Sequence, residues 1–201
     1  SARGQHSALG FGAAYEGIVI AGGARTPFGD LSKGLALVSP TDLGIVASRA
    51  ALASCKLDPA AVDQVIFASV ANAGPDAYYL PRHVGLYAGV PKERPALLVQ
   101  RICGSGLEVI IQAAEQIALG KAEVVLCGGT ESMSRNPVAS YDLRGGFVMG
   151  QPNFVDTLWA ELFDPAVGCT MGDTAENLAK DYGITRADTD AYALESQARY
   201  A

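Results

Sequence analysis

The stretch from Ala96 to Cys127 constrains this chain most. A short apolar run, Ala96 to Ile102, meets Cys103-Gly104-Ser105-Gly106 and passes into a helical stretch from Gly104 to Leu119. That stretch is apolar on nearly every side, through Leu107, Val109, Ile110, Ile111, Ala113 and Ile117. Gly120 supplies its stop, and Glu123 to Cys127 reads as the next strand, ended by Gly128-Gly129. A helix apolar all round belongs in an interior. Strand, helix, strand in that order needs a crossover that lays the helix on a sheet, so the class expected is α/β.

The same rhythm extends in both directions. Gly17 to Ala21 reads as a first strand, and Asp63 to Val70 as a second from its β-branched and aromatic content. Between them a helix starts at Pro40 or Thr41, with Leu43, Val46, Ala47, Ala50 and Ala51 on one face, and closes at a turn over Lys56 to Pro59. Another runs from Tyr79 to Ala88, ended by Gly89 and Pro91. From Arg135 to Val167 the chain is rich in Gly, Pro and Asn, and a loop excursion with one short helix near Val155 to Leu162 is expected. Helices over Thr174 to Tyr182 and Arg186 to Tyr200 follow. Three segments result: residues 1–16, Gly, Ala and Ser rich, as a flexible arm or expression remnant, then 17–134 and 135–201 as two structured parts.

Composition narrows the function classes. Charged residues make up 18% and hydrophobic residues 49%, against about 25% charged in an ordinary soluble domain. The surplus of apolar side chains points to extra buried surface, such as a subunit interface. A net charge of -6 argues against nucleic-acid binding, which gathers Lys and Arg into one face. No apolar run reaches the ~18 residues needed to cross a bilayer, so no membrane role is expected. The cysteines at 55, 103, 127 and 169 form no CxxC pair, and His6 and His83 lie far apart. That spacing suits a reducing, cytoplasmic location and no metal site.

Cys103 carries the strongest chemical signal. At the start of a helix, unpaired backbone N–H groups and the helix dipole favour negative charge, and the thiolate is the nucleophilic form of cysteine. Gly104 and Gly106 leave room for a ligand to approach the backbone, and the N–H of Cys103 could face a developing oxyanion. From the residues alone, two readings stand: a nucleophile, or a small buried hydrophobe at a tight turn. The missing third glycine after Gly104 and Gly106 argues against a dinucleotide fingerprint, and the absence of any G-x-x-x-x-G-K-[ST] removes the phosphate-binding loop.

Four segments decide between those two readings. Ala24-Arg25-Thr26-Pro27-Phe28-Gly29, Cys103-Gly104-Ser105-Gly106-Leu107, Gly128-Gly129-Thr130-Glu131-Ser132-Met133-Ser134 and Thr174-Ala175-Glu176-Asn177-Leu178-Ala179 resemble successive thiolase signatures in the right order. The resemblance covers the chain from Gly17 to its end. It implies a thiolase-like fold, a layered mixed sheet with a buried central helix, of which this chain holds the first of two similar halves. Residues 17–134 would be the N-terminal half and 135–201 part of the loop domain that covers coenzyme A, with Leu143-Arg144-Gly145-Gly146 in its oligomer-contacting segment.

By the same likeness Cys103 accepts the acyl group, and Leu162 and Met171 line the pantetheine and acyl channel. Thr170 stands where biosynthetic thiolases often have His, which implies a broader 3-ketoacyl specificity. The substrates would be acyl-CoA and CoA, with no further cofactor, in a homo-oligomer, dimer or tetramer, of the cytoplasm or the mitochondrial matrix. Thiolases take their histidines, second cysteine and oxyanion asparagine from a C-terminal half. Those residues would come from a second chain, or from a part cleaved off or left out; the sequence stops inside a helix at Tyr200-Ala201. A ketosynthase-type condensing enzyme and a noncatalytic assembly subunit are the competing classes.

Overall fold

The computed structural model describes residues 2–7 and 10–200. The chain divides after Pro137 into two compact units.

The first unit is built on three parallel strands in the order β4-β3-β5, where β3 is Gln64–Ala68, β4 is Ala96–Val99 and β5 is Val125–Gly129. Ile66 pairs with Leu97 on one side and with Cys127 on the other. As the middle strand of a parallel sheet, β3 is covered on both faces, and its run of Val65, Ile66, Phe67 and Ala68 is buried throughout. Alternation splits these side chains between two layers. Val65 and Phe67 join Leu52, Leu80 and Val84 in one cluster, and Ile66 and Ala68 join Val109 and Ala113 in the other.

The first cluster belongs to two helices, α1 (Pro40–Ser54) and α2 (Leu80–Ala88). Helix α1 starts where it does because the Ser39 hydroxyl accepts the Asp42 N–H at 3.0 Å and Pro40 sits in the first turn. Helix α2 stops at Gly89, whose φ of +99° suits a residue without a Cβ. The two helices approach so closely at Gly44 that a Cβ there would lie 2.9 Å from Cγ2 of Val84.

The opposite layer is α3 (Ser105–Ala118). Ser105, Val109, Ala113 and Ala114 are buried along one side of it. The other side is open: Leu107 is 71% exposed, Ile110 43% and Ile111 39%. One sheet face can cover only one side of a helix, so burial all round requires a further layer of protein.

Strand β5 runs two residues further than its sequence suggests. Gly128 and Gly129, read there as the end of the strand, pair with Phe67 and Ala68. A Cβ at Gly128 would stand 2.7 Å from Cζ of Phe67, so this glycine answers a close approach and not a turn. The strand expected at Gly17 to Ala21 does not form, since residues 18–24 pair with no neighbour among the described residues. They form one wall of an apolar groove of about 440 Å³, whose other walls are β5, α1 and α3. Val19 and Ile20 are 82% and 80% exposed. At the amino end, β1 (Ala2–Ser7) pairs antiparallel with β2 (Gly10–Tyr15), a hairpin where the composition suggests a flexible arm.

The second unit is a run of short elements. β6 (Val138–Ala139) pairs antiparallel with β7 (Val155–Asp156), and α4 (Thr157–Leu162) follows, capped by the Asp156 carboxylate on the Leu158 N–H at 3.0 Å. β8 (Phe163–Asp164) pairs antiparallel with β9 (Cys169–Thr170). Helix α5 (Met171–Tyr182) begins three residues before the expected Thr174, because Thr170 and Asp173 form a capping box. The Thr170 hydroxyl, and then its N–H, hold the Asp173 carboxyl below its usual range. After Gly183, with φ +65°, comes α6 (Arg186–Tyr200). No residue of α4, α5 or α6 is buried within this unit.

Candidate active site

Between the end of β4 and the start of α3 the chain makes a tight turn, Arg101-Ile102-Cys103-Gly104. Arg101 O accepts the Gly104 N–H at 3.0 Å, and Ile102 O accepts the Ser105 N–H at 3.1 Å. The turn leaves Cys103 exposed, immediately before the first turn of α3. Arg101 is tied along the helix by its guanidinium, which donates to Oε2 of Glu108 at 2.6 Å. Gln112, followed by Arg101, holds the Glu108 carboxyl below its usual range.

Cys103 borders a groove of about 840 Å³ that also touches Phe28, Ala68, Ser69, Glu131 and Ser105. Three segments distant in sequence are fastened there. Thr130 donates from its hydroxyl to the Pro40 carbonyl at 2.7 Å, and Ser134 accepts the Ser32 N–H at 2.8 Å. Glu131 reaches the corner after β3: its Oε2 accepts the N–H groups of Val70 at 2.7 Å and Ala71 at 3.2 Å, and its Oε1 accepts the Ser69 hydroxyl at 3.2 Å. The Gly128 to Ser134 segment therefore organises the loops around the thiol. The sequence singled it out as a signature but gave its side chains no task; the signal available was an acidic residue just after a glycine-ended strand.

Cys103 lies in the first unit, whereas Leu162, Thr170 and Met171 lie in the second. Within that unit the last three share one end of a short ladder. Phe163 pairs with Thr170, which puts Leu162 and Met171 beyond the same end of β8 and β9. Leu162 is 39% and Met171 49% exposed, and the Thr170 side chain is engaged in its capping box. The remaining thiols differ from Cys103 in setting. Cys127 is on β5, where burial pushes its thiol up, Cys55 is 3.8 Å from the Ser54 hydroxyl, and Cys169 is 3.6 Å from the Val167 carbonyl. His83 stacks with Tyr79 and meets Tyr87 edge-on along α2, outside the residues that border the Cys103 groove. Among the described residues no group of three or more His, Cys, Asp or Glu could hold a metal ion. No helix among them is long and apolar enough to cross a membrane.

The first unit thus joins an α/β layering to an exposed cysteine at a strand-to-helix turn. The family follows from comparison: residues 18–201 match the model of the thiolase N-terminal domain, and the chain belongs to the thiolase family. It is 48% identical over 185 residues to mouse mitochondrial 3-ketoacyl-CoA thiolase, covering 92% of this chain and 47% of that one. Among solved structures it is similar to human mitochondrial 3-ketoacyl-CoA thiolase, with a TM-score of 0.85 and 45% identity over 89% of this chain and 46% of that one. It is similar also to the complex of the human enzyme with CoA, with a TM-score of 0.84 and 45% identity over 88% of this chain and 45% of that one. The chain thus spans about half the length of the curated relatives it matches.

Proposed function

We propose that this chain is the nucleophile-bearing part of a thiolase that acts on 3-ketoacyl-CoA, with Cys103 as the acyl acceptor. The observation that carries the reading is the exposed Cys103 at the start of α3, bordering a groove that the Gly128 to Ser134 segment holds open. The Cys103 thiolate attacks the ketone carbon of 3-ketoacyl-CoA. The bond between that carbon and its neighbour on the CoA side breaks, the electron pair goes to that neighbour, and a proton delivered there completes acetyl-CoA. The acyl group remains on Sγ as a thioester. The thiolate of free CoA then attacks the thioester carbonyl, releasing acyl-CoA and restoring the cysteine; the reverse direction is a Claisen condensation.

The proton steps need an acid and a base within reach, and neither comes from His83, which stacks on α2. In this proposal they belong to the half of the protein that the relatives have beyond the matched region, in the same polypeptide or in a second one. Uncovered apolar surface supports that arrangement: the groove beside residues 18–24 and the open side of α3 with Leu107, Ile110 and Ile111 form a surface suited to a further layer. We assign residues 17–134 to the N-terminal half and 135–201 to part of the loop domain. Leu162, Thr170 and Met171 are its contacts to pantetheine and acyl chain. Among the described residues the outer edge of β4 is unpaired, which supports a homo-oligomer, dimer or tetramer, and the free thiols support a reducing compartment, the cytoplasm or the mitochondrial matrix.

The test is acyl loading. The chain, together with a thiolase C-terminal half, is incubated with acetoacetyl-CoA and CoA and digested for mass spectrometry. An acetyl thioester on the Cys103 peptide and formation of acetyl-CoA are expected, both lost in Cys103→Ser. An unmodified Cys103 with no acetyl-CoA formed would instead favour an assembly role.

A further inference from the structure

We propose that the Ser105 hydroxyl is a positioning group for Cys103, a clamp that holds the preceding turn in a backbone conformation Ile102 resists. The inference rests on the reading of Cys103 as the acyl acceptor and adds to it the device that aims the thiol.

Among the described residues only Ser32, Lys56 and Ile102 combine a side chain with positive φ, and Ile102, at +47°, is the one that is β-branched. A branched Cβ in the left-handed region crowds its own carbonyl, which makes this the least comfortable residue for the place. Packing of the side chain does not trap it there, since Ile102 is 48% exposed. Backbone contacts must do so.

Ser105 supplies them from a buried position, 5% exposed. Its Oγ accepts the Arg101 N–H at 2.7 Å and donates to the Ile102 carbonyl at 2.7 Å. Those two groups flank the rotatable bonds of Arg101 and Ile102, so a single hydroxyl fixes both ends of the strained dipeptide. The Ser105 N–H adds a third bond to the same Ile102 carbonyl, at 3.1 Å. Gly104 fits within the same turn, where a Cβ would lie 3.3 Å from the Arg101 carbonyl oxygen. With Ile102 relaxed to ordinary negative φ, the next peptide unit swings and carries Cys103 away from the start of α3. Backbone strain maintained next to a reacting group is a common way of fixing its direction. Ser105 does not itself touch the reacting atoms in this account; it acts through the turn.

The experiment follows iodoacetamide alkylation of the 201-residue chain, resolved by peptide, at Cys103 and Cys127. Iodoacetamide needs no acyl-CoA site, so its result stands apart from the acyl-loading test of Cys103 itself. Relaxing strain of this order shifts populations by about tenfold, so Ser105→Ala is expected to slow Cys103 about tenfold while Cys127, on β5, keeps its rate. Ile102→Gly is expected to retain the rate, because glycine takes positive φ about as readily as negative. In the double variant Ile102→Gly with Ser105→Ala the loss then shrinks to about twofold. That rescue is the signature of a clamp against strain, and a general packing role for Ser105 would not produce it. The proposal is overturned by an unchanged Cys103 rate in Ser105→Ala, by an equal loss with glycine at 102, or by Cys127 speeding up in step.

Discussion

Replacing Glu131 with alanine should release the corner that follows β3 and borders the Cys103 groove. Its carboxylate accepts the Val70 N–H at 2.7 Å, the Ala71 N–H at 3.2 Å and the Ser69 hydroxyl at 3.2 Å. Ser69 and Ala71 are themselves buried, 8% and 2% exposed, so the freed donors gain little hydration. A hydrogen bond to a charged group contributes about 1.5–3 kcal/mol. Three that share one carboxylate are not additive, and taking two as independent gives about 3 kcal/mol for local opening. At 1.4 kcal/mol per tenfold, the Val70 and Ala71 amides should exchange with deuterium about a hundredfold faster in Glu131→Ala. Glu131→Gln keeps one acceptor oxygen and loses the charge, and about half the effect, roughly tenfold, is expected because charge-assisted bonds are about twice as strong. Site-resolved hydrogen exchange by NMR reads both. Unchanged protection at Val70 and Ala71 in the alanine variant would refute the role given to this carboxylate.

Two further outcomes follow from the packing of the sheet. Asp63 Oδ2 accepts the Glu123 N–H at 2.9 Å and the Val124 N–H at 3.1 Å, with Arg94 3.3 Å from Oδ1, and these bonds hold its carboxyl below the usual range. A depressed carboxylate stabilises fully above its unfolded value of about 3.9 and stops doing so as pH falls through the folded one. The urea midpoint of Asp63→Asn should therefore lie below that of the parent at pH 7, and the gap should shrink as pH falls below about 3.9; a gap independent of pH would contradict the assignment. Gly128→Ala drives a Cβ to 2.7 Å from the Phe67 ring. Overpacking of this kind costs about 1–3 kcal/mol, so its thermal midpoint should fall and be partly restored by Phe67→Leu, whereas an unaltered midpoint would show that the ring moves freely aside.

The exposed side of α3 and the groove beside residues 18–24 explain a tension in the composition. An apolar share of 49% is generous for one sheet with helices on two faces, and much of the surplus remains on the surface, at Val19, Ile20, Leu107 and Ile110. The chain spans about half the length of its relatives, and this surface fits the proposal that another half of thiolase covers it.

The sequence by itself determined what depends on neighbours a few residues away. The order β3, α2, β4, α3, β5, the extent of α2 and α3, and the cysteine at a strand-to-helix turn were legible, because periodicity, glycine stops and proline starts act within one or two turns. The four signatures made the family legible too. Tertiary structure alone decided that Gly128 and Gly129 continue β5, that residues 18–24 form no strand, and that α3 is covered along one side. It likewise decided that Glu131 fastens Val70 and that Ile102 stands in the left-handed region beneath the Ser105 hydroxyl. Glu131 and Val70 are 61 positions apart, and no local pattern records a contact over that separation. A strand needs a partner's backbone, a glycine can serve a ring packed against it instead of a turn, and strain persists only where another group opposes it. Each of these is a property of what the folded chain brings together.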